Sequence, residues 1–125
     1  MISSIRQHVE ETLQIPIHFV HLIEGEQLPC GTIRQTQSEH HQELRRSSGW
    51  RVAGVSLALW SLSYLELEQM SEAIFTTYDG QCVDIDDAEI KFIVDDCEDD
   101  SYVNPDGSDD WVYSKEITLR VHFKS

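Results

Sequence analysis

The sequence predicts an α+β fold, a two-layer sandwich in which two helices cover one face of a mainly antiparallel sheet of about four or five strands. Apolar residues recur at helical spacing in two segments and alternate with polar residues in several others. The segments follow in the order α-β-β-β-α-β-β, and the loops between successive strands are too short for crossover helices. We therefore expect antiparallel neighbours and a single domain over residues 1–125.

The first half of the chain opens with a helix. Apolar residues recur every three or four positions over residues 3–13, which predicts an amphipathic helix, and Pro16 ends it. A polar stretch over residues 37–48 is typical of a loop. Residues 50–60 are apolar at both parities, as expected of a central strand. Three strands are thus predicted in this half, over residues 17–23, 30–36 and 50–60.

The second half begins with a helix that Ser63 and Glu66 start as a capping box. Its apolar stripe runs to Thr77, and Asp79-Gly80 stops it. A strand over residues 89–97 and an acidic loop over residues 98–109 follow. In the closing strand, residues 111–124, apolar residues occupy most of the odd positions and polar residues most of the even positions. Because side chains alternate across a strand, this predicts one buried face and one solvent-exposed face.

The charge is strongly negative, with 23 Asp and Glu against 9 Lys and Arg. Between Asp84 and Asp110, 12 acidic residues are accompanied only by Lys91. Such a surface repels phosphate, so we expect neither nucleic-acid binding nor docking on an anionic membrane. An acidic surface of this kind is compatible with DNA only if the DNA passes the protein as cargo and is not bound by it. We found no apolar run of secretory length near the N-terminus and expect no signal peptide.

No residue pattern predicts a catalytic, metal or cofactor site. Cys30, Cys82 and Cys97 form no Cys-x-x-Cys pair, so we expect buried or neutral thiols in a reducing compartment. The acidic loop fails as an EF-hand, because counting from Gly107 places Tyr102 and Tyr113 at ligand positions. The carboxylates crowd on predicted turns, where their pKa values stay ordinary. We expect a non-enzymatic protein without a cofactor or metal.

The order of elements carries a family resemblance. A short N-terminal helix precedes a proline-led strand at residues 29–33, and a long strand over residues 52–61 runs directly into an amphipathic helix at residues 65–74. An acidic loop and a closing strand, residues 106–123, complete the pattern. In this order the chain resembles the tail-completion proteins of long-tailed phages, also called tail terminators or head–tail joining proteins.

The resemblance implies a ring-forming homo-oligomer, typically a hexamer. Such rings close the end of a tail tube and join it to the head connector or head-completion protein. It also implies a place in the virion tail after assembly in the bacterial cytoplasm, with the tail tube protein as a partner. A ring needs two unlike patches that meet head to tail. The candidate interface residues are Arg34, Arg45, Arg46, Trp50, Arg51, Asp95, Asp96, Asp99, Asp100, Asp106, Asp109, Asp110 and Trp111.

Two other classes of function fit the composition. An acidic cytosolic adaptor, or an inhibitor that mimics nucleic acid, would bind a basic protein through the same negative surface. A small hydrolase with a carboxylate pair would require a concave pocket and a carboxyl group of raised pKa.

Overall fold

The computed structural model describes residues 2–19, 28–36, 50–103 and 111–124. They form two helices and six strands in one sheet, whose strand order is β1-β2-β3-β6-β5-β4. This confirms the predicted α+β class and adds one strand, β4, to the predicted order. The elements are α1 (Ile2–Leu13), β1 (Ile17–Phe19), β2 (Cys30–Thr36), β3 (Trp50–Ser61), α2 (Tyr64–Tyr78), β4 (Cys82–Ile85), β5 (Ala88–Val103) and β6 (Trp111–Lys124).

The two helices pack on one face of the sheet, which we call the helix face. α1 contributes Ile5 and Val9 to the core, and α2 contributes Leu67 and Ile74. The central strands β3 and β6 supply the facing apolar residues from one parity. These residues are Val55, Leu57, Leu59, Ile117, Leu119 and Val121. The opposite side of the sheet is called the outer face below.

Helix α2 begins and ends as its residues predict. The Ser63 hydroxyl accepts the backbone N–H of Glu66 at 3.2 Å, which is one half of the capping box. The Glu66 carboxylate accepts the Ser61 hydroxyl at 2.7 Å, so it binds the end of β3. At the C-terminal end, Gly80 has a φ of 71°, a conformation that glycine adopts without steric cost.

Strand β1 corrects one expectation. It runs parallel to β2, although the short connection between the two predicted strands favoured an antiparallel pair. The other four strand pairs are antiparallel, as the predicted mainly antiparallel sheet requires. β1 is described only over Ile17–Phe19, and the rest of the predicted strand lies outside the described residues. Gly31 of β2 is required where the three strands approach closely, because a Cβ there would lie 2.9 Å from Ile17 Cδ1 of β1 and 2.9 Å from the Ala58 carbonyl oxygen of β3. Five of the predicted interface residues and the predicted loop over residues 37–48 also lie outside the described residues.

Strand β5 extends further than predicted, into the segment that was expected to be the acidic loop. Residues 98–103 were expected in a loop, but they pair with β6 as far as Val103 opposite Trp111. Between Val94 and Asp96 the register shifts by a β-bulge, which leaves Asp95 without a partner residue in β6. The ladder on either side of the bulge supplies the backbone partners that a loop would lack.

The closing strand has the predicted buried and solvent-exposed faces, but three of its residues depart from this pattern. Val112 is buried on the parity expected to be solvent-exposed. Lys115 is buried on the apolar parity, and Trp111 on that parity is 50% exposed. Of the three thiols, Cys30 is buried, whereas Cys82 and Cys97 are exposed. Both lie in strands at or beside the sheet edge, where one side is open to solvent.

The buried hydroxyl of Tyr78 joins the two helices. It lies 2.5 Å from His8 Nδ1 and 3.3 Å from the Thr12 hydroxyl of α1. Its ring packs edge-on against Phe92 of β5, with 4.9 Å between the ring centroids. Burial raises the pKa of Tyr78 to about 12.

We expect Tyr78→Phe to lower the free energy of unfolding by about 1 kcal/mol at neutral pH, because the helices lose this hydrogen bond. A tyrosine whose pKa is raised in the folded state contributes stability below pH 10 and loses it as the pH rises through about 12. The difference in the free energy of unfolding between the wild type and the variant should therefore decrease between pH 10 and about pH 12. Denaturant unfolding across pH measures this, with Tyr113→Phe, which keeps the ring contact with Tyr64, as control. An undiminished gap at pH 12 would contradict it.

Candidate assembly surface

The acidic residues after the bulge lie on a long strand that leaves the core. Residues 95–102 of β5, here called the acidic segment, are all exposed. Their pairing with β6 places Asp96, Glu98 and Asp100 on the outer face, opposite Thr118, Glu116 and Ser114. Cys97 and Asp99 lie on the helix face, opposite Ile117 and Lys115. One strand therefore divides its carboxylates between two environments.

The carboxylates of Asp95 and Asp99 are paired within the molecule. Asp95 Oδ1 accepts a hydrogen bond from Arg120 Nε at 2.7 Å. Asp99 Oδ1 lies 3.3 Å from the Nζ of Lys115, and Glu68 Oε1 of α2 lies 2.6 Å from the same atom. The buried ammonium of Lys115 thus connects α2, β6 and β5. It holds the base of the acidic segment against the body of the protein.

The pKa values in this cluster follow from the same contacts. The hydrogen bond from Lys115 lowers the pKa of Glu68 below its ordinary value. Burial alone would lower the pKa of Lys115, but the hydrogen bonds to Glu68 and Asp99 outweigh it and raise that pKa. Lys115 is therefore a charged cross-link at neutral pH, which makes it a poor nucleophile.

The carboxylates on the outer face carry uncompensated charge. Asp96, Glu98 and Asp100 are exposed, and Glu98 lies directly opposite Glu116 of β6, which is also exposed. Like charges at directly opposite positions of a sheet destabilise the pair. A cationic surface placed against these four side chains would relieve that repulsion.

Exposed apolar side chains surround the same end of the sheet. Tyr64, at the start of α2, packs edge-on against Tyr113 with 5.6 Å between ring centroids. Trp111 is half-exposed on the same parity of β6 as Tyr113. Leu62, Leu65 and Tyr102 are further large apolar residues with exposed side chains. Aromatic residues held by packing are typical anchors of protein interfaces.

The basic residues predicted for the interface are separated from the acidic segment. Arg34 is exposed on the outer face of β2. Its row across the sheet continues through Ser56 and Thr118 to Asp96, so β3 and β6 lie between the two charges. Trp50 and Arg51 are the first residues of β3. The predicted residues that lie outside the described part of the chain are Arg45, Arg46, Asp106, Asp109 and Asp110.

Glu98 and Lys115 are among the contributors to this surface that were not predicted. Glu98 was not among the predicted residues, although Asp99 and Asp100 beside it were. Lys115 was missed as well, although a lone lysine on the apolar parity of β6 is a signal for a buried ion pair.

The described residues were also examined for metal sites and for membrane-spanning helices. Within residues 2–19, 28–36, 50–103 and 111–124, no three His, Cys, Asp or Glu side chains are placed to hold a metal ion. Neither helix of that part of the chain is long and apolar enough to cross a bilayer.

One comparison with known proteins gives a result. No family model matches the chain, and no curated protein matches it. Among solved structures, the chain is similar to a chain described as "Virion of native gene transfer agent (GTA) particle". The TM-score is 0.53 at 6% sequence identity, and the match covers 94% of this chain and 84% of that chain. At this identity the likeness is one of fold.

We expect Lys115→Met to lower the melting temperature by a few degrees, because Asp99 and Glu68 lose their shared cation. A carboxyl with a lowered pKa contributes stability above its unfolded value of 4.5 and loses it as the pH falls further. The gap between wild type and variant should therefore narrow below pH 4.5.

Thermal unfolding followed by circular dichroism across pH measures this gap. Lys91→Met, which removes an exposed lysine from the same sheet, is the matched control and should have little effect. A variant as stable as the wild type at neutral pH would show that Lys115 does not hold the acidic segment in place.

Proposed function

We propose that this protein is a structural component of a phage-like virion and has no enzymatic activity. The observation that carries the proposal is the fold shared over 94% of the chain with a protein of a gene transfer agent virion. The surface of the described residues supports it. Charged and aromatic side chains are concentrated on an exposed hairpin end, which suits contact with other proteins. Other virion proteins are the partners that this role requires.

The specific role we infer is that of a tail terminator. In this role the chain, as one domain, closes a ring at the end of the tail tube and joins the tube to the head connector. The element order that resembles tail-completion proteins supports this role. Ring closure by a head-to-tail contact requires two unlike patches on each copy. Arg34 on β2 and the carboxylates of the acidic segment are such patches, and they lie on separate strands. A negative surface near the channel would let DNA pass without binding it.

Removal of the gene from cells that make the particle tests the terminator role. We expect DNA-filled heads separate from tails, and tail tubes of irregular length, because nothing closes the tube. Electron microscopy of the lysate shows both features, and expression of the wild-type chain from a plasmid should restore joined particles. Normal joined particles without the gene would contradict the role. A lysate that lacks heads but contains normal tails would indicate that the protein is a virion component at a different position in the particle.

Purified protein tests self-assembly. We expect mass photometry to show ring-sized oligomers at low salt that dissociate as salt rises, since unlike charges hold the copies together. A protein that stays monomeric under these conditions and binds a basic protein instead would favour the adaptor or inhibitor.

A further inference from the structure

Three large apolar side chains are exposed where β3 ends and α2 begins. Leu62, Tyr64 and Leu65 lie close together in the sequence, and their side chains are 48%, 48% and 69% exposed. We call these three residues the apolar corner. A single exposed apolar side chain is ordinary on a protein surface, whereas a group of large ones is typical of a surface that contacts another molecule.

Hydrogen bonds fix the backbone of the apolar corner. The buried Ser61 hydroxyl accepts the N–H of Ser63 at 3.0 Å and donates to the Glu66 carboxylate at 2.7 Å. The Ser63 carbonyl oxygen accepts the N–H of Leu67 at 3.1 Å, which is the first backbone hydrogen bond of α2. The apolar side chains therefore cannot turn toward the core unless these hydrogen bonds break.

Aromatic residues of β6 continue this surface. The ring of Tyr64 contacts that of Tyr113, which packs against the core, and the half-exposed Trp111 follows on the same parity. The Tyr64 hydroxyl is also hydrogen-bonded to the Glu68 carboxylate, which raises the pKa of Tyr64. Tyr64 is thus held by two contacts while its side chain remains open to solvent. A side chain that is already ordered loses little conformational entropy when a partner binds it.

The charged residues around the apolar corner are almost all acidic. Residues 61–70, 95–103 and 111–118 form the start of α2 and the adjoining end of the sheet, and Lys115 is the only basic residue among them. Lys115 is buried, whereas the side chains of Glu68 and Asp99 that it binds are 44% and 52% exposed. An acidic partner would be repelled here, and so would the same surface of a second copy. Charge complementarity therefore requires a partner with basic residues beside its apolar ones.

The apolar corner lies away from the surface that we assign to the contact between copies. Arg34 and the unpaired carboxylates of the acidic segment lie on the outer face. Tyr113 lies on the helix face, opposite Ser61, and Tyr64 packs against it from α2. The corner therefore stays accessible when copies meet through the outer face. A ring that joins other virion proteins needs such an additional surface.

We propose that the apolar corner, together with Trp111, docks a basic amphipathic segment of another virion protein. Such a segment presents large apolar side chains next to lysine or arginine. The inference rests on the proposed virion role and names the surface by which one copy contacts a different protein. The apolar side chains supply most of the affinity of the contact, and the acidic border selects and orients the partner.

A synthetic peptide tests the docking surface directly. The probe is an amphipathic peptide of about 15 residues with leucine and tryptophan on one face and lysine on the other. We expect fluorescence anisotropy to show that it binds the wild type, and that Leu62→Ser with Leu65→Ser weakens binding at least about tenfold, because two apolar anchors are lost. Phe19→Ser, which removes an exposed apolar side chain from β1, is the control and should bind as the wild type does.

Two results of this titration would overturn the proposal. Equal binding of the peptide to the wild type and the double variant would show that charge alone attracts it. Equal binding of a peptide with glutamate in place of lysine would show that the partner need not be basic. Circular dichroism should give the double variant a melting temperature within a few degrees of the wild type, since both side chains are exposed. If the double variant unfolds, Leu65→Ala alone takes its place and should weaken binding in the same direction.

The same double variant separates this contact from the proposed function. We expect it to form rings of wild-type size in mass photometry. In cells that lack the gene, it should restore joined particles at least about tenfold less often than the wild type. Joined particles at the wild-type level, or a variant that forms no rings, would overturn the docking surface while the terminator role survives. Normal particles without the gene would overturn the terminator role, and the peptide titration would still decide on the apolar corner.

Discussion

The bulge at Asp95 is the constraint on which the assembly surface depends. Because side chains alternate along a strand, one extra residue changes the face on which every later side chain lies. It places Asp99 beside Lys115 on the helix face and sends Asp96, Glu98 and Asp100 to the outer face. The ion pair of Asp95 with Arg120 lies at the bulge itself. If Asp95 were paired in regular alternation, with no bulge, the three outer carboxylates would lie on the helix face instead.

The cluster around Lys115 gives the acidic segment a rigid base. Its ammonium binds Glu68 of α2 and Asp99 of β5, so it links the hairpin to the helix layer. The ring contact of Tyr64 with Tyr113 adds a second link between α2 and β6. A surface held in place before it meets its partner loses less conformational entropy on assembly. The described contacts therefore suit the structural role that we propose.

Much of the fold could be predicted from the sequence, and the misses have physical causes. Periodicity predicted both helices, and Ser63 and Gly80 marked the ends of α2. β4 was missed because its hairpin turn is formed by Asp86 and Asp87, both with positive φ, where glycine is the usual signal. The parallel pairing of β1 and the bulge at Asp95 depend on contacts distant in sequence. The division of the carboxylates follows from that bulge, so no local pattern indicated it.

Electron cryo-microscopy of the purified, assembled protein can show which surfaces of the copies meet. We expect a closed ring in which the acidic segment of each copy lies at the contact with its neighbour. A ring whose copies meet through their helices, with the acidic segment facing solvent, would contradict this assignment.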